Sequence, residues 1–298
     1  MLAGTIMTRE ADTYERHAAP LTGRFTRHVL AAAGDLAGAC VVDVACGTGL
    51  ASREAAARGA RAVVGLDLLD WMTERARLRF RERGRDAQDS DERDGAAAGS
   101  GKRGATGLHV ARMDATRLGM RSEWADVTLC QFGLMFMAER EQAARELHRV
   151  TRPAGTVVCA VWSTPDHASQ LAAFLDVAGE VVLGRPLARE HAIFGLGGDG
   201  ALAELLSRAG FTDVRESRPN EIDARGGIEE YWTRMSSTVG FRVEDGPDAR
   251  VATADRLPES VQREMRDRLA ERVASYARPD CTLAFPMQAV IVVARRPT

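Results

Sequence analysis

In the run Val41-Val42-Asp43-Val44-Ala45-Cys46-Gly47-Thr48-Gly49, a β-branched stretch carrying an acid leads into a tight glycine turn. A turn without side chains lets a ligand touch backbone, and the helix after it offers free N–H groups at its start. Several classes of nucleoside-binding protein share this device, so Gly47-Thr48-Gly49 alone selects no ligand. Two details narrow the choice. The dinucleotide fingerprint asks for a third glycine three positions after Gly49, where Ser52 stands. Asp43 also sets a carboxylate beside the turn, which repels a pyrophosphate and suits an ammonium group. A second acid, Asp67, closes the next apolar run. A carboxylate there can accept two charge-assisted hydrogen bonds from a ribose diol, each worth roughly 1.5–3 kcal/mol. Every nucleoside presents that diol, so Asp67 supports nucleoside binding and nothing finer.

The elements that must position these acids follow from the pattern. Cys40–Val44 reads as a strand, Leu50–Arg58 as a helix stopped by Gly59, Arg61–Asp67 as a second strand and Leu69–Arg83 as its helix. A short third strand lies near Leu108–Ala111. A fourth, Asp126–Cys130, leads through Gln131–Met137 into the helix Glu139–Val150. Arg152-Pro153-Ala154-Gly155 reads as a turn before a fifth strand, Thr156–Trp162. Strands alternating with helices predict an α/β, doubly wound, mostly parallel sheet. Ahead of it, Asp12–Ala33 reads as one helix with Leu21, Phe25 and Val29 on a single face. The segment 84–107 is rich in Asp, Arg, Gly, Ala and Ser and has no large apolar residue, which predicts a disordered insertion. Beyond it, helices are expected at His167–Leu183, Gly200–Ala209, Ile228–Val239 and Glu259–Ala277, with strands at Phe211–Ser217 and Met287–Arg295. The helices between the last two strands predict a cap over the carboxyl edge of the sheet. The expected organisation is a helical lid segment over 1–36, a core over 37–165 and the rest of the sheet with cap helices over 166–298.

Bulk properties exclude some classes. The chain has 298 residues, 45% of them hydrophobic, and a net charge of −2, so no global basic field argues for nucleic acid. No apolar run approaches the ~20 residues that span a bilayer. Met1–Glu10 lacks the order of a signal peptide. The five cysteines form no CxxC pair or Cys/His cluster, so no metal is expected, and a reducing cytoplasm fits them best.

Asp43-Val44-Ala45-Cys46-Gly47-Thr48-Gly49 resembles motif I of the class I S-adenosylmethionine-dependent methyltransferases. The likeness continues in Val64-Gly65-Leu66-Asp67, in Met113-Asp114-Ala115, in Asp126–Met137 and in Arg145–Val150 with Arg152–Gly155. The combination is similar to the branch containing quinone-biosynthetic and natural-product enzymes. It implies a seven-stranded Rossmann-like sheet and S-adenosylmethionine as cofactor. It further implies Asp43 near the methionine ammonium, Ala45, Cys46, Gly47, Thr48 and Gly49 in the loop, and Asp67 on the ribose. Leu68 and Met72 would pack the adenine, Asp114 between Met113 and Ala115 would meet its amino group, and Gln131 and Phe132 would face the methyl donor. Tyr14, in the leading segment that folds over the cofactor in this family, is a further contact. Ala45 stands for a common Gly, and Ala154 for the first of a usual Gly pair.

Methyl transfer needs alignment and exclusion of water rather than a covalent nucleophile. Cys46 is therefore read as loop filler. No general base is assignable. His148 reads as packing and His167 and His191 as surface, while His17 shares Tyr14's segment. Trp162, Phe174, Phe194, Tyr231, Trp232 and Met235 read either as the lining for an apolar acceptor or as the core of the cap. Val261, Met265, Leu269 and Val273 form one stripe, which faces the core or a second copy in a homodimer. The expected activity is methylation of a small molecule, with C- or O-methylation in quinone or secondary metabolism leading and N-methylation an alternative. A nicotinamide-dependent oxidoreductase and a non-catalytic partner protein are the rivals from other classes.

Overall fold

The valine-rich run before the glycine turn is strand β1 (Cys40–Val44), and all five of its residues are buried, as in a central parallel strand covered on both faces. The computed structural model describes residues 2–93, 107–224, 226–244 and 250–298. Three helices precede β1: α1 (Leu2–His17), α2 (Ala19–Gly23) and α3 (Thr26–Ala33). The single helix expected over Asp12–Ala33 is therefore broken twice. Pro20 lies in the first turn of α2, where its missing N–H costs nothing and its ring fits the start of a helix.

After β1 come α4 (Leu50–Ala57), β2 (Ala62–Asp67), α5 (Asp70–Arg93), β3 (Gly107–Arg112), β4 (Ala125–Gln131), α6 (Arg140–Val150) and β5 (Thr151–Trp162). Helix α5 runs beyond Arg83 to Arg93, so the segment read as a disordered insertion opens as helix. The rest of that expectation, 94–106, lies outside the described residues. Arg152–Gly155 is not a turn before β5 but an excursion within it. Pairing with β4 shifts register there, and Ala154 adopts a left-handed backbone with φ 57°.

The second half adds α7 (Ser169–Leu183), α8 (Ala201–Arg208), β6 (Thr212–Ser217), β7 (Asn220–Ala224), α9 (Ile228–Thr238), β8 (Gly240–Arg242), β9 (Val251–Thr253), α10 (Glu259–Val273) and β10 (Ala284–Arg295). The sequence pattern did not reveal β7, β8 and β9, which are short and carry charged or exposed residues.

The main sheet runs β3-β2-β1-β4-β5-β10-β6, a seven-strand path. Its first five strands are parallel, and β10 is antiparallel to both β5 and β6. Strand β7 pairs with the first half of β10 as an eighth strand. Strand order reverses between β1 and β4. At such a switch point the two loops diverge to opposite faces and leave a crevice at the carboxyl edge.

Only part of the expected cap covers that crevice. Helix α9 does, whereas α10 packs on α7, burying Met265, Leu269 and Val273. The apolar stripe of α10 is thus a core face.

Candidate active site

The turn after β1 is built from left-handed backbone. Ala45, Gly47 and Gly49 have φ of 58°, 56° and 82°, and Phe132, after β4, has 56°. A non-glycine residue held there stores roughly 1–3 kcal/mol, a cost typical of ligand-binding turns. Ala45 and Phe132 thus bring two strained backbones to the switch point. The two loops meet closely at Gly133, where a Cβ would stand 2.5 Å from the Cβ of Ala45.

Asp67 ties the turn together. Its Oδ2 accepts from the Gly47 N–H at 2.9 Å and its Oδ1 from the Leu69 N–H at 3.0 Å. Each oxygen keeps lone-pair capacity for a further donor. Burial pushes its pKa up against these backbone bonds.

Asp43 is the deeper acid, about 1% exposed. One oxygen accepts from the Ser52 hydroxyl at 2.6 Å. Burial pushes its pKa up to about 7, Ser52 draws it back, and neighbouring Asp67 adds to the rise. Ser52, noted from sequence only as a missing glycine, is therefore the partner that holds Asp43. It fits because the facing residue is Gly65, where a Cβ would lie 3.1 Å from its hydroxyl.

Every expected cofactor residue except Gly49 lines one cavity of about 640 Å³. Its wall follows the sheet order along the carboxyl edge: Met113–Ala115 after β3, Asp67–Met72 around the end of β2, Asp43–Thr48 after β1, Gln131–Met137 after β4 and Trp162 ending β5. Gly49 has another task. A Cβ there would lie 2.6 Å from the Phe80 ring, so its bare backbone lets α5 pack on the start of α4.

On the β2–β3 side, Leu68 and Leu69 present apolar surface, 53% and 43% exposed, beside Met72 and Met113. Asp114 is exposed, and Thr116 holds its Oδ1 through its N–H at 2.8 Å and its hydroxyl at 2.9 Å. These bonds keep its pKa below the usual range.

On the β4–β5 side, Phe132 stacks on Trp162 at 4.2 Å, and Phe25 meets both edge-on. The Gln131 amide is turned toward α2 and α3, donating to the Thr22 carbonyl and the Thr26 hydroxyl, each at 3.0 Å. Leu171 of α7, Ile193 and Met235–Val239 around the end of α9 complete this side, and Phe136 stands 69% exposed at its edge. Of the aromatic cluster expected as lining or core, Trp162 and Met235 line the cavity. Phe174, Phe194, Tyr231 and Trp232 are buried elsewhere. Leu171, Ile193 and Val239 went unnoticed in the sequence, where nothing sets them apart from ordinary core residues.

Helix α1 crosses above. Glu15 pairs with Arg79 at 2.7 Å and with Arg75 at 3.5 Å, and Arg75 also pairs with Asp12, so α1 is pinned to α5. Tyr14 reaches down so that its hydroxyl oxygen lies 3.4 Å from where a Cβ on Gly47 would be. Burial pushes the phenol up to about 12, with Thr22 opposing. Burial likewise holds the Cys46 thiol well above its ordinary value, so it supplies no thiolate.

Among the six histidines only His17 lines the cavity. His148 packs edge-on to Phe211, His167 pairs with Thr164, and His191 bonds the Gly240 carbonyl. No group of three metal-ligating side chains occurs among the described residues. No described helix is long and apolar enough to cross a membrane.

Residues 42–159 match the family model described as a methyltransferase domain. Demethylmenaquinone methyltransferase of Mycobacterium tuberculosis is 34% identical over 112 residues, which cover 34% of this chain and 48% of that protein. The match thus spans about half the length of that relative. Two solved structures share the fold. A protein of Bacillus halodurans, described as a putative methyltransferase, aligns with a TM-score of 0.55 and 16% identity, over 92% of this chain and 99% of its own. Phosphoethanolamine N-methyltransferase 2 of Haemonchus contortus, solved with S-adenosyl-L-methionine, aligns at 0.52 and 13%, over 92% and 53%. The glycine turn and the two acids fall inside the matched stretch, so residues 42–159 are similar to a methyltransferase domain.

Proposed function

We propose that the chain binds S-adenosylmethionine along the carboxyl edge of β1–β4 and methylates a small molecule with an apolar body. The observation that carries this reading is the pairing of Asp43 and Asp67 with an open Gly47 turn in one cavity, continuous with an apolar chamber. The residues suit the cofactor's chemistry. Asp67 keeps acceptor capacity on both oxygens for a ribose diol. Leu68, exposed, with Met72 and Met113 beside it, offers an apolar shelf for a purine, and Asp114 adjoins it. Asp43, buried and held by Ser52, provides the counter-charge for an ammonium.

When bound, the cofactor supplies a sulfonium-activated methyl group. What remains for the protein is to hold the acceptor in line and exclude water. Leu21, Phe132, Trp162, Leu171, Ile193 and Met235 make a mostly apolar wall suited to a planar or hydrocarbon-rich acceptor. His17 is the histidine on that wall, and an imidazole at this place is the candidate to take up an acceptor proton.

The likeness to a quinone-biosynthetic enzyme over the matched third of the chain, together with this wall, favours C- or O-methylation of an aromatic hydroxyl compound. The test is an acceptor panel with S-adenosylmethionine, read as S-adenosylhomocysteine formed. Turnover with hydroquinols or phenols and none with primary amines supports the assignment. Turnover with amines alone overturns it in favour of N-methylation.

A further inference from the structure

Asp223 on β7 is a fully buried carboxylate outside the cavity wall. Its oxygens face arginines from two different covers of the cavity. Oδ2 lies 2.8 Å from Nη1 of Arg234, itself 1% exposed on α9. Oδ1 lies 3.3 Å from Nε of Arg24, which ends α2. Arg234 also donates to Gln170 Oε1 at 3.1 Å, and the carbonyl of this buried α7 residue accepts from the Tyr231 hydroxyl. Each anchored residue is a near neighbour in the chain of a wall residue. Arg24 follows Leu21 and Thr22, Gln170 precedes Leu171, and Arg234 precedes Met235. On the same strand, Glu221 binds Arg27 and His28 of α3.

A buried ion pair is a weak source of stability, because desolvation offsets its attraction, and apolar residues of like volume hold elements together as well or better. What the charge pairs add here is an electrostatic tie between separate elements, and the Arg234–Gln170 hydrogen bond gives it a direction.

We propose that Asp223 is a positioning residue: one buried carboxylate ties the wall carried by α2 to the wall carried by α9, so that the two open and close as one body. This rests on the reading of the cavity as a donor half joined to an acceptor half. A donor bound beneath Tyr14 reaches the acceptor wall by a short path. Gln131 holds the Thr22 carbonyl, Arg24 follows two residues later, and Asp223 links it to Arg234 beside Met235.

The test is hydrogen exchange on the full chain. Asp223→Asn leaves the buried Arg234 without this carboxylate, which can unfold the protein. Arg24→Gln is the working variant, since the Arg24 side chain is 33% exposed and the Asp223–Arg234 pair stays in place. Losing one partly exposed ion pair is expected to speed amide exchange by about three-fold. That rise should occur in 19–33 and equally in 228–238, which Arg24→Gln does not alter. Faster exchange confined to 19–33 overturns the coupling. A second arm adds S-adenosylhomocysteine. It should slow exchange in both segments of the wild type and only in 19–33 of the variant; equal slowing of 228–238 in both proteins also overturns it. If the wild type does not bind S-adenosylhomocysteine, the proposed function fails, and the ligand-free comparison still decides the role of Asp223.

Discussion

Replacing Asp43 with Asn separates what the buried acid does for the fold from what it does for a ligand. In the folded chain its pKa stands at about 7, against 3.8 for an ordinary aspartate, chiefly because the carboxyl is buried. Between those two values the native state holds a proton that the unfolded chain has already released. Stability therefore falls as pH rises through that window and stays lower above it. A displacement of this size corresponds to a penalty on the order of 4 kcal/mol once the acid is ionised. The amide introduced by Asp43→Asn still offers Ser52 an acceptor but never ionises. Urea unfolding of both proteins at pH 5 and pH 8 checks this. The stability of Asp43→Asn relative to wild type should rise by a few kcal/mol between the two pH values. Taking the difference across pH cancels whatever the new amide costs by itself. The same variant should lose affinity for S-adenosylhomocysteine, whose ammonium favours the ionised acid, so wild-type binding near pH 6 should release a proton. A relative stability that does not change with pH would refute the assignment of a buried, raised acid.

Other substitutions probe separate parts of the wall. Asp67→Ala removes the acceptor of two charge-assisted bonds and should weaken S-adenosylhomocysteine binding by about 100-fold or more; calorimetry giving affinity within a few-fold of wild type would remove Asp67 from the site. Gly49→Ala forces a Cβ against Phe80 at a φ of 82° and should destabilise the fold by about 2–4 kcal/mol in thermal melts. The fraction that folds should bind the ligand nearly as wild type does, because Gly49 lies off the cavity wall. Phe136→Ala trims a ring that is 69% exposed, so stability should change by less than about 0.5 kcal/mol. The acceptor KM should nonetheless rise about ten-fold, consistent with an aromatic ring covered on binding. An unchanged KM would place the acceptor elsewhere.

The half of the cavity proposed for the donor was legible because its signal is local. A β-branched run, an acid and a glycine turn occupy consecutive positions, and chain geometry forces them into one strand end. Asp67 and Met113–Ala115 follow because each closes a strand in the same sheet. The half proposed for the acceptor was legible only in part: Trp162 and Met235 stood among the possible lining residues, but Leu21, Leu171 and Ile193 are brought to the same wall only by tertiary packing and read in sequence as ordinary core. Local pattern misled at two places: Pro20 breaks a helix whose apolar spacing runs on, and Arg152–Gly155 has turn composition yet stays within β5. The Asp223–Arg234 pair was equally hidden, since a charge in a short strand gives no local sign that it will be buried against a helix residue.

Calorimetric titration of the full chain with S-adenosylmethionine, S-adenosylhomocysteine and NAD tests the central claim most directly. The account predicts saturable binding of the first two and none of NAD, because Asp43 beside the Gly47 turn opposes a pyrophosphate and Ser52 occupies the position of the third fingerprint glycine. Binding of NAD with no heat from S-adenosylhomocysteine would contradict it and return the cavity to a dinucleotide.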